Sequence, residues 1–243
     1  MTKFIDTHTH LNFKDFEKDR FSIIENCLLN QILMINVGTT FNNSKTAVLI
    51  AEKYAYGVYA SLGIHPLNVE KEEVDFKELL ESKKVVAIGE TGLDYFYENF
   101  NKEKQKKYFL KHIELAEKID LPLIVHSRKA FEDTYEILKD KNVKGVLHCF
   151  TGNLNYLKRF LDLGFYIGFN GIIFKMNLDK IIENTPKDRI LIETDCPYLT
   201  PPLFYEERNN PLGVKFVMDK INEIKGEDIS EEVYCNSLKL FKI

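Results

Sequence analysis

At 243 residues, with 44% apolar and 29% charged side chains, the chain holds enough apolar material for one large core, which excludes disordered and collagen-like structure. Its 33 lysines and arginines against 37 aspartates and glutamates leave a formal charge of -4, too mild and of the wrong sign to hold nucleic acid by bulk electrostatics. Any phosphate-bearing substrate must then be held by local groups.

Short β-branched or aromatic runs alternate with amphipathic stretches along the whole length, the pattern of a parallel α/β fold. Strands are predicted near residues 3–7 (KFIDT), 32–37 (ILMINV), 57–62 (GVYASL), 85–89 (VVAIG), 122–126 (PLIVH), 145–149 (GVLHC), 165–170 (FYIGFN) and 190–194 (ILIET). Helices are predicted near 19–30, 43–55, 72–82, 101–119, 129–140, 153–163 and 178–184, with 214–225 and 230–240 closing the chain. In 101–119, Phe109, Ile113 and Ala116 form one stripe beside Leu115 and Ile119. Eight such units with no Pro/Gly/Ser-rich linker predict a single-domain (β/α)8 TIM barrel over residues 1–243. A doubly wound nucleotide-binding fold would place a Gly-rich turn after the first strand, whereas this strand runs into Thr7-His8-Thr9-His10.

Four scattered cysteines, Cys27, Cys149, Cys196 and Cys235, form no CxxC pair, which argues against a zinc knuckle or disulfide framework and for reduced intracellular thiols. The first ten residues lack the basic and apolar run of a signal peptide, and no window approaches about 18 apolar residues, so a cytoplasmic protein that does not engage a membrane is expected.

Five of the 6 histidines, His8, His10, His65, His126 and His148, fall at or just past the C-terminal end of a predicted strand. Every strand of a barrel delivers its last side chains to that rim, so histidines distant in the chain converge there. His8 and His10 leave the same strand face, because strand side chains repeat every two residues, and such a pair can share one metal ion. An HxH pair alone is a weak signal, but Glu90, in Gly89-Glu90-Thr91-Gly92-Leu93-Asp94, and Asp195, in Thr194-Asp195-Cys196-Pro197, end two further strands. Glu90 either lies between two cations or caps a turn, and Asp195 opens a loop. Burying this many polar groups without a metal or partners is costly, so their convergence favours a metal centre.

Cys149 and Cys196 each follow one of these residues, and adjacent strand residues face opposite ways, so both read as packing. Asp6 and Glu193 share a strand face with His8 and Asp195 respectively, and either orient ligands or are satisfied by backbone donors. Phe150 and Tyr198 are aromatics near the rim, for stacking on a base or for the core. His112, mid-helix among lysines, reads as a surface residue.

The blocks DTHTHL (6–11), LGIHP (62–66), GETGLD (89–94), VHSR (125–128), HCFTG (148–152) and ETDCPYLTP (193–201) resemble, in order and over essentially the whole chain, the signatures of the TatD-related metal-dependent deoxyribonucleases of the amidohydrolase superfamily. The resemblance implies a TIM-barrel hydrolase that cuts DNA phosphodiester bonds with two divalent ions, Mg, Mn or Zn. It implies that His8, His10 and Asp195 hold one ion, that His126 and His148 hold the second, and that Glu90 bridges both. Two cations about 3.5 to 4 Å apart activate a water and neutralise the attacked phosphoryl group. Four imidazoles suit zinc or manganese better than magnesium, which prefers oxygen.

By the same resemblance Asp195 is the candidate base for the water proton, or a ligand only. His65 is placed to touch a phosphate oxygen or to protonate the leaving group, the plain alternative being a satisfied loop histidine before Pro66. Arg128 is a candidate phosphate clamp or a solvated arginine. Arg208 is a candidate substrate contact in Arg208-Asn209-Asn210-Pro211, where the family usually carries Arg-Asn-Glu-Pro, and His112 replaces a glutamine common in the family. DNA is the implied partner, with no obligate protein partner and a monomer sufficing. Competing readings are a small-molecule amidohydrolase acting on an amide, lactone or ester, and a metal-binding scaffold without turnover. Glu90 stands where many amidohydrolases bridge their metals with a modified lysine, which favours the nuclease branch.

Overall fold

The computed structural model describes residues 3–70, 75–99 and 101–243. Eight strands, β1 (Phe4–Thr9), β2 (Ile32–Val37), β3 (Val58–Leu62), β4 (Val85–Asp94), β5 (Leu123–Arg128), β6 (Gly145–Leu147), β7 (Tyr166–Phe169) and β8 (Ile190–Ile192), lie side by side in chain order. Every pair is parallel. The seam between first and last strands closes just past β8: Thr9 bridges to Cys196, Asp195 N donates to His8 O at 2.9 Å, and His10 N donates to Cys196 O at 3.1 Å. The result is the predicted TIM barrel.

Helices α1 (Arg20–Leu29), α2 (Phe41–Ala51), α3 (Lys102–Ile119), α4 (Phe131–Leu138), α5 (Leu154–Asp162) and α6 (Asp179–Asn184) surround it, with α7 (Val214–Lys225) and α8 (Ser230–Phe241) completing the ring. Thr40, Asn101 and Asn153 start α2, α3 and α5 by accepting from the backbone N–H three residues on, which satisfies a donor that the helix itself leaves orphaned. The predicted helix at 72–82 is a correction. Residues 71–74 lie outside the described residues, and of the rest only Leu79–Glu81 forms a 3-10 turn, with Phe76 and Leu79 as its buried anchors.

Alternation along the strands sorts the core into two layers. Met34, Val58, Leu123, Val125, Leu147 and Ile192 join the helix-facing cluster, while Ile35, Tyr59, Ile124, Val146, Tyr166 and Leu191 fill the barrel interior. Both faces being covered, the strands read as continuous apolar runs in the sequence.

Strand β4 runs further than its apolar run predicts, to Asp94, because Thr91 to Asp94 pair with Val125 to Arg128. The register slips by one residue between Ile88 and Thr91, a bulge of the kind that re-aims a side chain, and it falls at Glu90. Gly92 sits at φ +134, where a Cβ would stand 2.1 Å from the His126 carbonyl oxygen, so the two rim strands approach this closely only with glycine there.

Candidate metal centre

The rim gathers the predicted donors into one cluster. His8 and His10 leave β1 on the same side, and their Nε2 atoms stand 3.2 Å apart. His10 Nδ1 donates to the Val37 carbonyl at 3.1 Å, which leaves the Nε2 lone pair free to face His8. Asp195 Oδ1 lies 3.3 Å from His10 Nε2 and 3.9 Å from His8 Nε2, while Glu90 Oε2 lies 3.4 Å from His8 Nε2 and 4.0 Å from His10 Nε2. Glu90 Oε1 faces the other way, to His126 Nδ1 at 2.9 Å, His148 Nε2 at 3.3 Å and His65 Nε2 at 3.5 Å.

These distances fit a divalent ion. Donors 2.0 to 2.1 Å from a tetrahedral zinc stand roughly 3.3 Å from one another, which is close to the spacing of the His8–His10, His10–Asp195 and His8–Glu90 pairs, while His8–Asp195 and His10–Glu90 are wider. Two imidazole nitrogens aimed at each other, with His8 Nδ1 buried and without a hydrogen-bond partner, are a poor hydrogen-bond arrangement and a good ligand pair. The backbone supports the placement. Asp195 adopts φ +56, a region that aspartate tolerates better than most residues, and its N–H is tied to His8.

The charges are tightly coupled. Burial alone would raise the Glu90 carboxyl, but His65, His148 and His8 outweigh it and hold the group well below the usual carboxylate range. Burial likewise opposes ionisation of Asp195, and His10, His148 and His8 overcome it. His8 is pushed down, first by burial and then by the His148 ring stacked 3.9 Å away. His148 resists burial and is raised well above the ordinary imidazole value by Glu193 and Glu90. His126 is raised by Asp94 and Glu90, also against burial.

The model of the TatD related DNase family matches residues 5–242. The chain belongs to the TatD-related DNase family. The uncharacterized metal-dependent hydrolase YabD of Bacillus subtilis is 38% identical, the alignment covering 98% of each chain. Among solved structures, the TatD homologue YjjV of Escherichia coli K12 superposes with a TM-score of 0.90 at 30% identity, over 99% of this chain and 98% of that one. A TatD family hydrolase of Entamoeba histolytica gives 0.88 at 26% identity, again over 99% and 98%. The protein is accordingly a TatD-family metal-dependent hydrolase.

Around the donors of this TatD-family protein stands a layer of orienting groups. Glu193 does not face Asp195. Its Oε1 instead accepts from His148 Nδ1 at 2.9 Å, Cys149 N at 2.8 Å and Asn170 Nδ2 at 2.9 Å, so it aims the His148 lone pair at the site. Asp6 accepts from Thr194 N, Thr194 Oγ1 and His8 N, holding the β1 and β8 ends together. Asp94 accepts from His126 Nε2 at 3.1 Å, which leaves the Nδ1 lone pair of the neutral ring, on the Glu90 side, to hold a metal. Asp94 is held in turn by Gln105, whose amide exchanges two hydrogen bonds with the Asp94 backbone.

His112 is the clearest correction. It is buried, not exposed: its Nε2 accepts from Ile64 N at 3.1 Å and its Nδ1 donates to Tyr108 O at 2.7 Å. Gln105, Tyr108, Phe109, His112, Ile113 and Ala116 form the inward face of α3 at helical spacing. The signal lay in the apolar stripe, and the surrounding lysines masked it.

The remaining predicted residues are spread along the rim. Arg128 is 44% exposed, with Nη1 at 4.0 Å from Asp94 Oδ2. Tyr198 is 55% exposed. Arg208 packs over Phe16 and binds both oxygens of Asp19, at 2.6 and 2.7 Å, so its guanidinium fastens the loop after β8 to the loop after β1. Asn210, which stands in place of the family's acidic residue, accepts from Leu212 N and starts a 3-10 turn. Phe150 is buried against Phe131, as a core residue, and neither Cys149 nor Cys196 joins a donor group.

Proposed function

We propose that this protein hydrolyses phosphodiester bonds of DNA, as an exonuclease, with two divalent ions: one held by His8, His10 and Asp195, one by His126 and His148, and both sharing Glu90. The observation that carries this reading is the Glu90 carboxylate, whose two oxygens face two separate donor sets at the open end of the barrel. The chemistry that such ions supply when bound is Lewis acidity toward a water and a phosphoryl group.

The chain's own groups do the rest. Asp195 keeps its carboxylate ionised and partly exposed at the mouth, which suits it to take the proton of the attacking water. His65 Nδ1 accepts from Leu67 N, so the proton of the neutral ring sits on Nε2, facing the site. Burial brings its pKa down to about 3. A neutral N–H so placed suits a hydrogen bond to a phosphate oxygen better than proton delivery to a leaving group. Arg128, exposed beside Asp94, supplies a cation for the same phosphate or its neighbour. All four cysteines are free, which supports a reducing compartment, and we infer the cytoplasm. Among the described residues no helix is long and apolar enough to cross a membrane.

The test is purified protein titrated with Mg, Mn and Zn on single-stranded and duplex DNA labelled at either end, beside ester and lactone controls. The expected result is stepwise shortening from one terminus. Turnover of an ester or lactone with every DNA intact would reject the nuclease reading.

A further inference from the structure

Next to the donor cluster, the loop that leaves β4 carries two aromatic rings on the surface. Phe96 is 44% and Tyr97 46% exposed, and their centroids lie 4.9 Å apart, edge to face. The end of β5 and the residue after it bring two cations to them: the Arg128 guanidinium carbon sits 3.7 Å from the Phe96 centroid and 5.7 Å from that of Tyr97, and Lys129 Nζ stands 5.2 Å from that of Phe96. Successive residues of a strand point to opposite faces, so both reach one ring only because Lys129 leaves the strand with φ +53. Among the described residues Lys129 forms no ion pair, and the nearest carboxylate oxygen to Arg128 is that of Asp94 at 4.0 Å. That carboxylate also holds His126, so the aromatic group adjoins the metal centre through one residue.

Large exposed rings together with cations that no surface carboxylate neutralises are an unusual use of the rim of a chain with net charge -4. The combination matches the way unpaired nucleotides are held: a π face or a guanidinium plane for the base, positive charge for the backbone phosphate. A base inside a duplex is already stacked on its neighbours and has no face to offer.

We infer that Phe96 and Tyr97, together with Arg128 and Lys129, form a stacking platform for the unpaired nucleotide next to the phosphodiester being cut. This inference rests on the nuclease reading above and adds to it the side chains that hold the base and the side of the mouth from which the strand enters.

The experiment uses the full chain, reconstituted with the metal that gives turnover. Single-stranded substrates are compared with strands in which one nucleotide at a time is replaced by a propanediol spacer that keeps the phosphates and lacks the base. For the unsubstituted protein, a spacer beside the cleavage point should raise KM roughly tenfold, the scale of one lost stacking contact. In the Phe96→Ala/Tyr97→Ala double variant that penalty should vanish, so that intact and spacer-bearing strands give the same KM, while the metal content stays that of the unsubstituted protein. The chain has no tryptophan, so Phe96→Trp gives a single reporter whose emission should be quenched by an unpaired oligonucleotide and not by the matching duplex. A double variant that retains the full spacer penalty, or a Phe96→Trp emission blind to unpaired strands, would overturn the platform and leave the nuclease reading standing. Failure of the unsubstituted protein to cut any phosphodiester would remove that reading, and the platform with it.

Discussion

His112 offers the sharpest test of how the fold supports the rim. Its ring is buried and neutral, with a pKa brought down to about 4 from 6.5, chiefly by burial and in part by Lys111, against the opposing pull of its hydrogen bond to Tyr108. The unfolded chain therefore takes up a proton as the pH falls through 6.5, while the folded chain takes none until about 4. Folding stability that is complete above 6.5 is then lost across that window, at about 1.4 kcal/mol for each pH unit once below the unfolded value. Between about pH 7.5 and about pH 5 the loss attributable to this one ring is roughly 2 kcal/mol. His112→Gln keeps an acceptor for Ile64 N and a donor for Tyr108 O and has nothing to titrate. Urea unfolding of the metal-free proteins, followed by far-ultraviolet circular dichroism at several pH values, should give similar stabilities at neutral pH and a gap opening in favour of His112→Gln on acidification. Every other titrating group is common to both proteins and cancels. Parallel stability curves would show that the ring is protonated or solvated in the folded state, and the argument from burial would fail.

Three further outcomes follow from the same geometry. Glu90→Gln should lower metal content of the protein in both donor sets together, since each relies on one of its oxygens, and metal analysis after dialysis that finds only one set weakened would contradict the shared role. Glu193→Gln and Asp94→Asn should each weaken metal binding roughly 10- to 100-fold without unfolding the barrel, because each replaces the charged carboxylate that fixes an imidazole with a neutral amide; competition titration with a chelating dye measures this, and unchanged affinity would refute the orienting roles. Arg208→Ala and Asp19→Ala should have equal effects on KM for DNA and no additive effect when combined, as expected of two ends of one link; a KM effect confined to Arg208→Ala would mean that the arginine reaches the substrate.

The strand ends, and with them the donor residues, are legible in the sequence because parallel barrel strands are buried on both faces and announce themselves as unbroken apolar runs. His8, His10, Glu90, His126, His148 and Asp195 each sit where such a run stops. What chain spacing cannot show is which residue holds which. A two-residue period pairs Glu193 with Asp195, yet β8 ends at Ile192, Asp195 turns to φ +56, and Glu193 serves His148 just past β6, since the partner is set by how the barrel curves and not by sequence distance. Asp94 stayed hidden because β4 outruns its apolar segment by virtue of glycine at 92 and a bulge at Glu90, features of backbone pairing with no hydrophobic signature. His112 and Gln105 were readable from the stripe on α3, but a lysine-rich helix pulls the eye to its wet face.

The hoop of strands is fastened at residues of the candidate metal centre. His8, His10, Asp195 and Cys196 exchange the main-chain hydrogen bonds that join the two ends of the strand series. A cation captured there would act as a clasp, gripping both sides of the joint. His8 and His10 lie on one side of that joint and Asp195 on the other, 185 or more positions along the chain. The proposed centre would therefore be assembled only when the ring closes.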